Sequence, residues 1–145
     1  VALRYANVYG PRQNPRGEAG VVAIFARMLL DGLEPTINGN GKQTRDFVFV
    51  TDVVAANLKA LHYEKNGVFN IGTGIETTIN EVFQKLVELT GAQAAEKHGP
   101  AMSGEQIRSV IDPSLAAQKL AWRSRFDLTQ GLQQTVEFFR NQNNA

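Results

Sequence analysis

Only a few side chains in this 145-residue sequence have the types and spacing that could do chemistry. Arg45 and Asp46 stand where the loop Gly39-Asn40-Gly41-Lys42-Gln43-Thr44 runs into the apolar stretch Phe47-Val48-Phe49-Val50. A guanidinium at such a junction presents a rigid fork of donors that matches a phosphate. Arg45 can equally pair with Asp46 or with a surface carboxylate, and chemistry alone favours that plainer reading. Asn7 interrupts the otherwise apolar Tyr5-Ala6-Asn7-Val8-Tyr9. Taken as buried, it must find partners or cost about 1–3 kcal/mol. It therefore either locks the turn that follows or addresses a polar ligand, and ligands of open α/β sheets do bind beyond the carboxyl ends of strands. Arg4, Arg12 and Arg16 flank the next loop and read as solvated.

Other chemistries lack their residues. His62 and His98 are far apart, with no metal-ligand partner at useful spacing, and His62 suits the C-terminal end of a helix, where a cation meets the helix dipole. No Gly-x-Ser-x-Gly elbow is present. Gly39 to Thr44 fails as a phosphate loop, because Lys42 is followed by Gln43 and position 36 is Thr. Gly72-Thr73-Gly74 lacks the third glycine of a dinucleotide fold. Both read as tight turns. No catalytic residue and no metal ligand is assigned.

The elements that position these residues follow from periodicity. Val1 to Val8 reads as a strand and residues 10–20 as a loop. Val21, Ile24, Phe25, Met28 and Leu29 mark a helix ending near Asp31-Gly32. Thr36-Ile37 is extended, and Asp46 to Val50 is a strand buried on both faces. Thr51 caps the helix through Val54, Leu58 and Leu61, and Gly67 to Ile71 is a third strand. Thr78 to Glu81 is a capping box for a helix that stops at Gly91. Residues 92–104 read as a loop, Ile107 to Ile111 as an edge strand, and Asp112-Pro113 as the start of a short helix. Asp127 to Gln130 caps the last helix, and Asn141 to Ala145 reads as a frayed tail.

Composition bounds the partners. With 43% hydrophobic residues, 20% charged and a net charge of +1, the chain is neither a disordered segment nor a concentrated basic surface for nucleic acid. No apolar run approaches the roughly 18–20 residues of a membrane span, so no membrane association is expected. The absence of cysteine excludes disulfides and thiolate metal sites and makes a cytoplasmic location the expectation. The sequence opens Val1-Ala2-Leu3 without methionine, as if entered partway through a longer protein.

Leu3 to Arg12 and Gly39 to Val53 together closely resemble two blocks of the nucleotide-sugar epimerases and dehydratases, which are extended short-chain dehydrogenases. The resemblance is nearest to their UDP-glucose 4-epimerase branch. Phe69-Asn70-Ile71-Gly72-Thr73-Gly74, and Gly104-Glu105 through Asp112-Pro113-Ser114 to Leu120-Ala121-Trp122, are similar to two later blocks. The resemblance implies an α/β fold: the C-terminal portion of a Rossmann-type extended short-chain dehydrogenase, including its small α/β substrate-binding domain. Residues 1–145 would then be one C-terminal nucleotide-sugar-binding fragment, with the N-terminal NAD-binding half absent.

In this family a tyrosine with a lysine four residues on moves the proton while NAD carries the hydride. Here Tyr5, Tyr9 and Tyr63 are followed four residues later by Tyr9, Gln13 and Gly67. The resemblance therefore implies an inactive binding portion of an NAD-dependent sugar 4-epimerase, with NAD in the full-length enzyme and none bound to this chain. The rival expectation is a stand-alone, non-catalytic module that binds nucleotide sugars or assembles with partners.

By match to the family pattern, Asn7 would bond the sugar diphosphate, and Tyr5 and Ala6 would lie beside the nicotinamide and sugar. Gly20, Val21 and Val22 would run along the ligand. Thr36, Ile37 and Asn38 would edge the base, Arg45 would clamp the phosphate, and Glu105 would reach the ribose hydroxyls. Met102 stands where the family carries a diphosphate-binding arginine, for which Arg108 is a candidate substitute, and Asn38 stands where an aromatic stacks on the base. Strands left without neighbours imply a homo-oligomer formed through exposed strand edges.

Overall fold

The computed structural model describes residues 1–16 and 20–143. In chain order the elements are β1 (Ala2–Tyr5), β2 (Asn7–Tyr9), α1 (Val21–Leu30), β3 (Thr36–Asn38), β4 (Thr44–Arg45), β5 (Phe47–Phe49) and α2 (Val50–Leu61). They continue with β6 (Val68–Ile71), β7 (Thr77–Thr78), α3 (Ile79–Thr90), β8 (Lys97–Gly99), β9 (Arg108–Ser109), α4 (Ser114–Leu120) and α5 (Leu128–Asn143).

The strand expected over Val1 to Val8 is split at Ala6, where it changes neighbour. β1 pairs in parallel with β6, and β2 pairs in parallel with β5. The exchange is made by two backbone donors: Ala6 N–H reaches Ile71 O at 2.9 Å, and Asn7 N–H reaches Asp46 O at 2.8 Å. Asn7 itself is exposed, so the premise that it is a buried amide does not hold. β5 is buried on both faces as its unbroken apolar run predicts. Phe47 and Phe49 enter a core built with α1, α3 and α5, while Val48 enters a second core with α2, α4 and β6. Trp122 anchors the second core and donates its indole N–H to Asp52 O at 2.9 Å.

Helices α3 and α5 form the caps that their sequences predict, whereas α4 begins at Ser114 with Pro113 just outside it and no side-chain cap. Gly91 ends α3 at φ 74°, and both halves of the Thr78–Glu81 capping box are formed. Asp127 and Gln130 cap α5 reciprocally, at 2.8 and 3.2 Å. Thr51 does not cap α2: the strand runs straight into the helix, which begins at Val50, two residues earlier than a Thr51 cap would set, behind Phe49 with no side-chain cap. Asp52, in the first turn, is buried and accepts the N–H groups of Arg125 and Phe126 at 3.0 and 3.2 Å, tying the segment before α5 to α2. Gly131 lets α5 close on the first core, since a Cβ there would stand 2.1 Å from the Tyr9 hydroxyl.

Two segments differ from expectation. The 92–104 loop contains β8, which pairs in parallel with β3, and the strand expected over 107–111 shrinks to β9, at one edge of the three-stranded sheet β7-β4-β9. The tail expected from Asn141 is helical to Asn143, and its last two residues lie outside the described residues, as do residues 17–19 of the first loop. Among the described residues, no helix is long and apolar enough to cross a membrane.

Candidate functional site

β4 is the middle strand of the small sheet, antiparallel to β7 and parallel to β9, which fixes the backbone of Thr44 and Arg45 from both sides. The Arg45 guanidinium donates from Nη1 to Thr44 O at 2.8 Å and to Gln106 O at 2.7 Å, and from Nη2 to Glu105 Oε1 at 3.1 Å. The partner carboxylate is thus Glu105, 60 positions along the chain. Asp46, the adjacent candidate, is buried and turned away. It accepts from Thr73 N–H, Thr73 Oγ1 and Gly74 N–H at 2.8, 2.7 and 3.0 Å, fixing the turn after β6.

Gln43 links the two sides of this site. Its amide donates to Asn38 O at 2.9 Å and to Glu105 Oε1 at 3.4 Å. Beside it a cavity of about 390 Å³ opens between the end of β3 and the segment before β9, lined by Asn38, Lys42, Gln43, Met102 and Glu105 among others. The floor is the turn 39–43, a tight turn as its sequence predicts, with Gly39 and Gly41 at φ 64° and 68°. The first turn of α3 holds it: Ile79 N–H donates to Gln43 O at 3.2 Å, Asn80 N–H to Gly41 O at 3.1 Å, and Asn80 Nδ2 to Asn40 O at 3.1 Å.

Glu76 organises the other edge. It accepts from Thr44 Oγ1 at 2.8 Å and from Arg108 Nε at 2.7 Å, and Arg108 first and Thr44 second hold its carboxyl below the usual glutamate value. Arg108 pairs with Glu76 here through a side chain that is 73% exposed. Tyr9 is sealed in the core, where burial above all pushes its phenol well above the ordinary range and keeps it protonated.

The structure brings Asn38 and Glu105 to one cavity with Arg45 behind Glu105. Asn7 does not line this cavity; its backbone N–H donates to the carbonyl of Asp46, the residue after Arg45. Ile37 and Val22 are fully buried, so only their backbones could meet a ligand, and Thr36 is exposed on β3 beside Ile37. Gly20 precedes α1 with no side-chain cap, and Val21 opens the helix. Tyr5 is 45% exposed at the carboxyl end of β1, its hydroxyl donating to Asn57 Oδ1 at 3.0 Å, and Ala6 follows at the change of strand partner. His62 caps the C-terminus of α2, as expected. Among the described residues, no group of three or more His, Cys, Asp or Glu side chains could hold a metal ion.

Sequence reasoning missed Gln43, Glu76 and Asn80. Gln43 had a readable signal, since it lies within the same short block as Arg45.

Residues 1–72 match the family model described as the NAD dependent epimerase/dehydratase family. A UDP-glucose 4-epimerase from Mycolicibacterium smegmatis is 46% identical over 94% of this chain and 44% of its own length. The solved UDP-glucose 4-epimerase of Thermotoga maritima with UDP-glucose superposes with a TM-score of 0.95 at 50% identity, covering 97% of this chain and 46% of that one. The Thermus thermophilus UDP-glucose 4-epimerase complex with NAD gives 0.85 at 41% identity, covering 95% and 45%. The chain thus spans about half the length of the relatives it matches.

These findings correct three expectations. The family match falls on residues 1–72, the same stretch that carries the parallel pairs β1–β6 and β2–β5. The fold is therefore a Rossmann-type α/β unit in the N-terminal part of this chain. Neither the assignment as a C-terminal half nor the fold class of a C-terminal portion with a small substrate-binding domain stands. The exclusion of NAD is withdrawn as well, because parallel strand pairing is the architecture of an NAD-binding portion and a matching structure is an NAD complex.

Proposed function

We propose, on the premise that this chain is homologous to UDP-glucose 4-epimerase-like NAD-dependent epimerases, that it binds a nucleotide sugar for such an enzyme, a UDP-sugar in particular. The observation that carries this reading is the meeting of Arg45 and Glu105 beside one cavity, although the two are 60 positions apart. A guanidinium and a carboxylate side by side answer the two polar parts of a nucleoside diphosphate: Arg45 takes phosphate oxygens, and Glu105 accepts from ribose hydroxyls.

The remaining contacts follow the same reading. Asn38 edges the base with its exposed side chain, with Thr36 and the Ile37 backbone beside it. Asn7 bonds the diphosphate from the first position of β2, and the backbone of Gly20 to Val22 faces the anion at the start of α1, where the helix dipole favours negative charge. Tyr5 and Ala6 border the nicotinamide, and Tyr5 is accessible for such a contact at 45% exposure. NAD, when bound, supplies hydride acceptance and return. The residues of this chain bind and orient, and no proton transfer is assigned to them.

Thermal melting tests the proposal. UDP-glucose or UDP should raise the melting temperature, and Arg45→Ala should abolish the shift. No shift at about millimolar ligand, where a bound ligand stabilises by mass action, would overturn it.

We further propose that copies associate through β1, which pairs on one side only among the described residues.

A further inference from the structure

The fork of Arg45 is already occupied. Two of its bonds go to backbone carbonyls, Thr44 O and Gln106 O, and these set the plane of the guanidinium whatever else is bound. The third goes to the Glu105 carboxylate, an exchangeable partner on the segment lining the cavity. The side chains are only 16% and 26% exposed, so this pair is partly desolvated, unlike a freely solvated surface pair. The same oxygen, Glu105 Oε1, also receives Gln43 Nε2 at 3.4 Å, which holds the carboxylate toward Arg45.

We infer that Glu105 is a resident counter-anion of Arg45 which ligand phosphate displaces, and that it thereby selects nucleoside diphosphates over bare phosphates. The inference rests on the reading above, in which Arg45 receives phosphate. Any anion that takes the Nη2 donor leaves Glu105 partly buried, with Gln43 as its remaining donor. An inorganic polyphosphate offers that carboxylate no neutral hydroxyl pair and adds negative charge beside it. A nucleoside diphosphate brings two ribose hydroxyls, which can donate to the freed carboxylate. The same displacement thus penalises one ligand and is offset by the other, which is specificity obtained by rejecting the wrong partner. Asp46 cannot take this part, because its acceptors are committed to Thr73 and Gly74.

The test is calorimetric titration of the whole chain with inorganic pyrophosphate and with UDP. It uses the wild type, Glu105→Gln, Arg45→Ala and the double variant, with a melting curve for each as a check on folding. Glu105→Gln should bind pyrophosphate roughly five- to tenfold more tightly than wild type, the scale of one ordinary hydrogen bond, as suits a pair that is still partly solvated. It should bind UDP no more tightly, so that the preference for UDP over pyrophosphate narrows. Glu105→Asp, which keeps the charge, should retain the preference.

The pyrophosphate gain should vanish in the Arg45→Ala background. A gain that survives there would show a general field effect and overturn the exchange, as would unchanged or weaker pyrophosphate binding by Glu105→Gln. If wild type fails to bind UDP, the proposed function falls, while the pyrophosphate cycle still decides whether Glu105 and an anion compete for Arg45. If Glu105→Gln does not fold, Glu105→Ala carries the same comparison.

Discussion

Gly41 holds φ at 68°, and a Cβ built on it would lie 1.6 Å from Asn80 Oδ1. Both facts exclude a side chain: the left-handed backbone costs an L-residue about 1–2 kcal/mol, and the Asn80 amide would have to abandon Asn40 O. Gly41→Ala should therefore destabilise by about 2–3 kcal/mol, read as a fall in the urea midpoint. Because the displaced turn carries Gln43 and floors the cavity, ligand affinity should fall with it; a variant as stable as wild type would show that the turn tolerates another conformation. The turn itself was legible, since two glycines around Asn40 announce one. What it presents was not. Arg45 is visible as a cation at a strand junction, with Asp46 or a surface carboxylate as its expected partner, but the carboxylate it meets comes from 60 positions away. Asp46 is instead drawn to the free N–H groups of a turn after β6, a pairing that exists only once β1 has paired with β6 and β2 with β5.

Helix α3 shows how an element carries the site on its first turn. Thr78 Oγ1 accepts from Glu81 N–H at 3.1 Å, and the Glu81 carboxylate accepts from Thr78 N–H at 2.7 Å. These contacts, the backbone one first, hold the Glu81 carboxyl below its usual value of 4.5. A folded-state value depressed in this way gives stability that is complete above the unfolded value and lost as pH falls through the folded one. Glu81→Gln should accordingly be less stable than wild type near neutrality, by about 0.5–1 kcal/mol, and should converge on it in acid, below about pH 4. Urea titrations at both pH values check this. Glu76 and Asp112 are depressed as well, so acid weakening alone is not the signature; the signature is the convergence of the two proteins. A gap that persists unchanged in acid would show that the carboxylate charge is not what the cap uses. Capping boxes and C-terminal glycines are local, which is why α3 and α5 could be read from the sequence. β8 could not, because Lys97-His98-Gly99 has no alternation and becomes a strand only through the ladder offered by β3.

Across the whole molecule, two apolar cores sit on opposite faces of β5, yet α2 keeps an apolar stripe outside both. Val54, Leu58 and Leu61 are 52%, 57% and 77% exposed at the spacing of one helical face. β1 lies near this helix, tied to it by the bond from Tyr5 to Asn57, and among the described residues it pairs only with β6. A strand with unpaired donors and acceptors beside an uncovered apolar stripe favours association, since full burial of one such side chain is worth about 1.5–3 kcal/mol. In a two-fold interface each substitution acts twice. Light scattering should therefore find particles of at least about twice the 15.9 kDa chain mass at high concentration. Leu58→Glu should shift them to monomer while leaving the helix content unchanged, because the side chain is already outside both cores. The cavity beside Arg45 opens between the end of β3 and the segment before β9, and none of its lining residues belongs to β1 or α2, so the monomeric variant should keep its UDP-induced rise in melting temperature. A monodisperse wild-type monomer would dismiss the interface without touching the binding site. Loss of UDP binding in a folded Leu58→Glu monomer would show instead that the site is completed only when that face is covered.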